Sequence, residues 1–107
     1  MKVDIRDYDY GPHPSQRIRL FLPSGRYLTV VVVIHGGYWR SIYGMELAEP
    51  LGYDLTRYGV AAAVIEYRRV GEGGGWPTTL ADVSRAVDSL AGPGQEVAEG
   101  RLSLDRV

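Results

Sequence analysis

A run of seven residues, Leu28-Thr29-Val30-Val31-Val32-Val33-Ile34, constrains the fold of this chain more than any other feature. A strand with one face in water alternates apolar and polar residues, whereas this run has no alternation and consists mostly of β-branched residues. Such a strand is covered on both faces, which is typical of parallel or mixed sheets with helices above and below. The run therefore predicts an α/β protein.

The segments around this run predict the other strands. The segment from Gln16 to Leu22 alternates polar and apolar residues as far as Leu20, as a half-exposed strand does. The turn residues Pro23 to Arg26 favour an antiparallel hairpin between this strand and the run. Val60 to Ile65 is a second buried strand, and Leu104 to Val107 is the start of a further one. With two intervening helices the order is β-β-α-β-α-(β), which predicts right-handed βαβ units in a mixed, mostly parallel sheet.

The first predicted helix follows Trp39. Pro50 fits its first turn, where the missing N–H loses no hydrogen bond, and Gly59 fits a left-handed stop. Its apolar residues have the spacing of one helix face: Leu47, Leu51, Leu55 and Tyr58.

The second predicted helix begins near Thr78 or Thr79. Asp82 stands three residues after Thr79, which is the spacing of a capping box, and Gly92-Pro93-Gly94 predicts the end of the helix. Its apolar stripe consists of Leu80, Val83, Val87 and Leu90.

Length and charge set broad limits on function. The 107 residues predict a single domain, residues 1–107, with residues 1–15 as a lead-in segment. Twelve basic and thirteen acidic residues give a net charge of −1, so no nucleic-acid partner is expected. The absence of cysteine excludes disulfides and thiolate metal sites. The chain opens without a secretory signal and its longest apolar run is too short to cross a bilayer, so we expect a cytoplasmic protein with no membrane partner.

The chemistry-bearing motif is His35-Gly36-Gly37-Tyr38-Trp39, which directly follows the most buried strand. Ligands bind at the carboxyl ends of strands in open α/β sheets. Adjacent glycines let the backbone turn sharply and bring N–H groups close to a substrate, where they stabilise a developing oxyanion. The alternative interpretation is an ordinary tight turn followed by two packing aromatic residues.

This motif resembles the α/β-hydrolase superfamily, specifically its HGG-type esterase and arylformamidase (kynurenine formamidase-like) branch. Other segments resemble the family in the same order, from Tyr8 to Val107: Tyr10-Gly11-Pro12-His13-Pro14-Ser15-Gln16, Glu66-Tyr67-Arg68-Arg69, Trp76-Pro77 with Asp82-Val83 and Ala86-Val87, and Leu104-Asp105-Arg106-Val107. The resemblance implies a partial α/β-hydrolase fold, namely the N-terminal half of such a domain.

The resemblance also implies roles for individual residues. The backbone amides of Gly37 and Tyr38 would form half of the oxyanion hole, and Gly36 and Trp39 would shape the substrate pocket. Three residues near the site would be structural: His35, Tyr67 and Arg68. Ordinary core or turn packing is the alternative for Trp39, Tyr67 and Arg68.

The catalytic residues of the family have no counterpart in this sequence. The family's nucleophile is the serine of a Gly-x-Ser-x-Gly elbow after the fifth strand, and its acid and base follow later. None of the six serines has glycine at both −2 and +2, and no histidine follows His35. We therefore expect the N-terminal part of a serine hydrolase for carboxylic esters or aryl formamides that is inactive alone, because acyl transfer needs a nucleophile and a base.

Other functions fit the sequence less well or remain open. Gly71 to Trp76 lies where a dinucleotide-binding turn would, but the third glycine of that motif falls at Trp76, so a pocket-edge loop is preferred. His13 and His35 stand apart without a carboxylate pattern, so neither a metal nor a cofactor is expected. The alternative function is a small non-catalytic α/β module for binding or self-assembly, since an unpaired sheet edge would favour self-association.

Overall fold

The structure is a computed structural model. It begins with two strands, after which strands and helices alternate along the chain. The structure describes residues 2–34, 48–68 and 73–107. Its strands are β1 (Asp4–Asp9), β2 (Arg17–Leu22), β3 (Val30–Ile34) and β4 (Ala61–Ile65). Its helices are α1 (Glu49–Thr56), α2 (Thr78–Ser89) and the short α3 (Gln95–Val97), and a π-helical turn, Leu90–Gly94, joins α2 to α3.

The four strands form one mixed sheet in the order β1-β2-β4-β3. β3 and β4 run parallel, with Ile34 opposite Ile65, whereas β2 runs antiparallel to both β1 and β4. The predicted α/β class and mixed sheet are therefore confirmed.

The predicted hairpin between β2 and β3 is wrong. β2 pairs with β1, which lies inside the 1–15 segment, and with β4, so the N-terminal hairpin consists of β1 and β2. All five residues of β4 are buried, and three of them are alanines. A strand that is buried on both faces belongs at an interior position of the sheet, and β4 therefore separates β2 from β3.

Two apolar clusters cover the two faces of the sheet. Side chains alternate across β3, so Val30 and Val32 belong to the cluster on the α2 side and Val31 and Val33 to the cluster on the α1 side. The run without alternation in the sequence thus reflects a strand that contributes to two cores at once.

The apolar stripe predicted for α1 is wrong for two of its residues. Leu51 is 48% exposed and Tyr58 is 79% exposed, whereas Leu55 packs against the sheet and Leu47 lies outside the described residues. The Phe21 side chain already fills the face of the sheet beneath α1. The buried positions of the helix are therefore occupied by the small residues Gly52 and Thr56.

The predicted ends of α1 agree with the structure. Pro50 lies in the first turn of the helix. Gly59 has a φ of +78°, the left-handed conformation that favours glycine after a helix.

α2 begins at Thr78, as predicted, but the capping box is wrong. No side chain caps its N-terminus, because the side chains of Thr79 and Asp82 hydrogen-bond to residues outside the helix. The predicted stripe is partly wrong as well. Leu90 is buried, whereas Leu80 is 52% exposed, and the buried side of the helix holds Thr79, Asp82 and Ala86.

Gly92-Pro93-Gly94 does not end the helical segment, contrary to the prediction. The chain continues through the π-helical turn, which contains Pro93, into α3. A π-helical turn changes the pattern of backbone hydrogen bonds, and proline in it lacks the N–H that a regular helix would use.

The segment from Arg101 to Arg106 runs beside the start of β3. Leu102 forms a parallel bridge with Leu28, and the N–H of Val30 donates to the carbonyl of Arg106 at 2.9 Å. The further strand predicted at Leu104 to Val107 is wrong, because these residues form a turn and irregular backbone instead of a regular strand. Within the described residues, no helix is long and apolar enough to span a membrane.

Candidate functional site at the carboxyl ends of the parallel strands

The carboxyl ends of β3 and β4 lie side by side. Because Ile34 is opposite Ile65 in parallel register, both strands end at the same edge of the sheet. The five predicted site residues after β3 lie outside the described residues: His35, Gly36, Gly37, Tyr38 and Trp39. Tyr67 and Arg68, which follow β4, are described and define the site below.

Arg68 is bound to a buried carboxylate on α2. Its Nε and one terminal nitrogen donate to the two carboxylate oxygens of Asp82 at 2.9 and 2.7 Å, and its backbone N–H donates at 3.0 Å. The Asp82 side chain is only 2% exposed. A bidentate pair of this kind fixes orientation as well as distance, so it attaches the end of β4 to the first turns of α2.

Gln16 completes the coordination of this carboxylate. Its side-chain nitrogen donates to Asp82 at 3.0 Å, and its side-chain oxygen accepts the backbone N–H of His13. Burial raises the pKa of Asp82, but the hydrogen bonds from Arg68 and Gln16 lower it by more, so the net pKa is lowered. The carboxyl therefore stays ionised at pH values at which a free aspartic acid side chain would begin to be protonated. The segment before β2 is thereby connected to the same buried charge.

The Thr79 side chain hydrogen-bonds to both ends of the glycine-rich loop between β4 and α2. Its hydroxyl donates to the carbonyl of Arg68 at 2.7 Å and accepts the N–H of Gly75 at 2.8 Å. One side chain therefore bridges the two ends of the loop between β4 and α2, whose residues 69–72 lie outside the described part of the chain.

Tyr10 also holds the end of β4. Its hydroxyl donates to the carbonyl of Glu66 at 2.6 Å. Burial, followed by the nearby Asp82 and Glu66 carboxylates, raises the pKa of Tyr10, so the phenol remains a neutral donor.

A cavity of about 340 Å³ opens between these strand ends and α2. The described residues that line it are all uncharged: Ile34, Tyr67, Trp76, Thr79, Leu80 and Val83. Tyr67 is almost fully buried, whereas the Trp76 side chain is exposed at the rim. The described walls suit an apolar group, and none of these six residues carries a carboxylate, an imidazole or an amine.

The described residues include no complete catalytic set. None of the described serines lines the cavity, and no group of three or more metal-ligating side chains occurs among the described residues. The site as described can bind an apolar group and hold strand ends in place.

The hydrogen-bonding partners of the site include residues that sequence reasoning missed. In the sequence, Tyr10 and Gln16 are marked only by the N-terminal segment that resembles the hydrolase family. Asp82 is marked by the capping-box spacing. Gln16 and Asp82 are 66 residues apart and Arg68 and Asp82 are 14 apart, so no local pattern joins them. The only signal available was the occurrence of all three inside the segments that resemble the hydrolase family.

Comparisons with known proteins agree with this architecture. No protein-family model and no curated protein sequence matches the chain. Among solved structures, esterase B from Lactobacillus rhamnosis aligns with a TM-score of 0.79 and 24% identity, over 96% of this chain and 34% of that one. A bacterial heroin esterase aligns with a TM-score of 0.72 and 25% identity, over 89% of this chain and 31% of that one.

A third solved structure is that of an α/β-hydrolase. MGS-M1, an α/β-hydrolase enzyme from a Medee basin deep-sea metagenome library, aligns with a TM-score of 0.69 and 17% identity, over 97% of this chain. The chain spans 44% of that protein and about a third of the two esterases. The described part of this chain therefore has a partial α/β-hydrolase fold.

Proposed function

We propose that this chain is the N-terminal part of a serine hydrolase of the HGG-type esterase and arylformamidase branch, acting on carboxylic esters or aryl formamides. The observation that carries the proposal is the common edge of β3 and β4. β3 ends at that edge with Ile34, which lines the uncharged cavity together with Tyr67 and directly precedes His35 in the sequence. An esterase-like fold with an apolar cavity at this edge supports an acyl- or aryl-binding role.

In this proposal the loop after β3 stabilises negative charge on the substrate oxygen. The amides of Gly37 and Tyr38 would donate to the oxyanion of the tetrahedral intermediate, and two adjacent glycines keep β-carbons away from the substrate. Gly36 and Trp39 would shape the pocket, and His35 would be structural. The Arg68–Asp82 pair and the Thr79 hydroxyl would hold the neighbouring strand end and loop.

Such a loop can polarise a carbonyl but cannot complete acyl transfer. A nucleophile must attack the carbonyl carbon, and a base must take the proton of the nucleophile and return it to the leaving group. The sequence has neither a Gly-x-Ser-x-Gly elbow nor a histidine after His35. The chain alone is therefore inactive in this proposal.

The first test is an assay of the purified 107-residue protein with p-nitrophenyl acetate, p-nitrophenyl butyrate and formanilide. We expect no hydrolysis above the buffer rate and no labelling by a fluorophosphonate. Hydrolysis that co-purifies with the protein and disappears after fluorophosphonate labelling would show that the chain contains its own nucleophile.

The second test concerns the coding sequence after Val107. We expect it to encode a Gly-x-Ser-x-Gly elbow in one of its frames, and the extended protein to hydrolyse these substrates. In that protein Gly37→Pro removes one backbone donor and should lower kcat by about 10²- to 10³-fold, the usual effect of losing one oxyanion donor. Absence of an elbow in every frame would contradict the hydrolase proposal and favour the non-catalytic module.

A further inference from the structure

We draw no further inference here: the strongest candidate, the uncharged cavity between the ends of β3 and β4 and helix α2, belongs to the site already described, and nothing in the structure shows what covers its exposed rim at Ile34 and Leu80.

Discussion

At the scale of single residues, the lack of a side chain at Gly52 lets α1 pack closely against the sheet. A β-carbon at Gly52 would lie 2.7 Å from two atoms of the Phe21 ring, which is closer than real β-carbons approach a neighbour. The Phe21 ring is fully buried and also meets the Tyr53 ring edge-on, with centroids 5.1 Å apart. The ring therefore has little freedom to move away from α1.

Gly52→Ala should destabilise the protein, although alanine is the better helix former. The helix-propensity gain is about 1 kcal/mol, and overpacking a filled core costs about 1–3 kcal/mol. We expect a net loss of about 1 kcal/mol in the free energy of urea unfolding. Gly92→Ala is the matched control, since a β-carbon there meets nothing within 4 Å, and it should be neutral or stabilising. A Gly52→Ala protein as stable as the parent would contradict the close packing.

Loss of the Asp82 carboxylate should leave several polar groups without a hydrogen-bond acceptor. Asp82→Ala removes the acceptor for the Arg68 guanidinium, the Arg68 backbone N–H and Gln16. Buried donors without acceptors cost about 1–3 kcal/mol, and we expect a loss in that range at neutral pH. Asp88→Ala on the exposed side of the same helix should change the unfolding free energy by less than about 0.5 kcal/mol. Equal effects of the two substitutions would show that the buried network contributes nothing.

At the scale of elements, long-range side-chain contacts hold the ends of strands and helices. Arg101, which follows α3, donates through Nε to the carbonyl of Gly25 at 2.9 Å and also to the carbonyl of Pro23. It also lies 3.4 Å from the carboxylate of Asp4 in β1. A single guanidinium thus connects the segment beside β3 with the turn after β2 and with the first strand.

Arg101→Met tests this connection while keeping an unbranched apolar side chain. We expect a loss of about 1–3 kcal/mol in the free energy of unfolding, because two turn carbonyls lose a charged donor. Arg57→Met is the control, since the Arg57 side chain is 74% exposed and pairs with Asp54 one helical turn away. Such exposed pairs contribute about 0.3–0.5 kcal/mol. If both variants unfold at the same urea concentration, Arg101 does not connect these elements.

At the scale of the whole molecule, the strands of the sheet are buried to different extents. β4 is buried throughout, whereas β3 becomes exposed toward Ile34 and the cavity opens beside it. Among the described residues, several polar contacts at the periphery pair an arginine with a carboxylate, as in Arg6–Glu99 and Arg19–Asp7. Stability of the whole fold should therefore depend on pH in the acid range.

The predicted pH dependence follows from three carboxyl groups with lowered pKa values. The hydrogen bond from Arg19 lowers the pKa of Asp7, and the hydrogen bond from Arg6 lowers the pKa of Glu99. For Asp82, burial raises the pKa but the bonds from Arg68 and Gln16 outweigh it. A carboxyl with a lowered folded-state pKa contributes stability above its ordinary pKa of 3.8 to 4.5, and this contribution is lost as the pH falls through the folded value.

Urea unfolding measured between neutral and strongly acidic pH checks this prediction. The unfolding free energy should stay level down to the ordinary carboxyl pKa and then decrease as the pH falls. High salt should weaken the contribution of the partly exposed Asp7 and Glu99 pairs more than that of buried Asp82. An Asp82→Asn protein should show a shallower decrease than the parent, and an unchanged pH profile would contradict the assignment.

Much of the fold was predictable because the pattern of apolar and polar residues over a few neighbouring positions indicates which faces of a strand are buried. The run from Leu28 to Ile34 predicted a strand covered on both faces, and Pro50, Gly59 and Thr78 marked helix ends to within three residues. The apolar stripes were less informative, since Leu51 and Leu80 have helical spacing but lie at exposed positions. The site was predictable only in its location, at the carboxyl end of the buried strands.

By itself, the sequence determined the α/β class, the two buried strands and the position of the glycine-rich motif after β3, because hydrophobic periodicity and turn residues act over a few neighbouring positions. Only the tertiary structure decided the strand order β1-β2-β4-β3, the close approach of α1 at Gly52 and the burial of Asp82 between Arg68 and Gln16. The physical reason is distance along the chain. Strand pairing, steric fit and buried ion pairs join residues that share no local pattern.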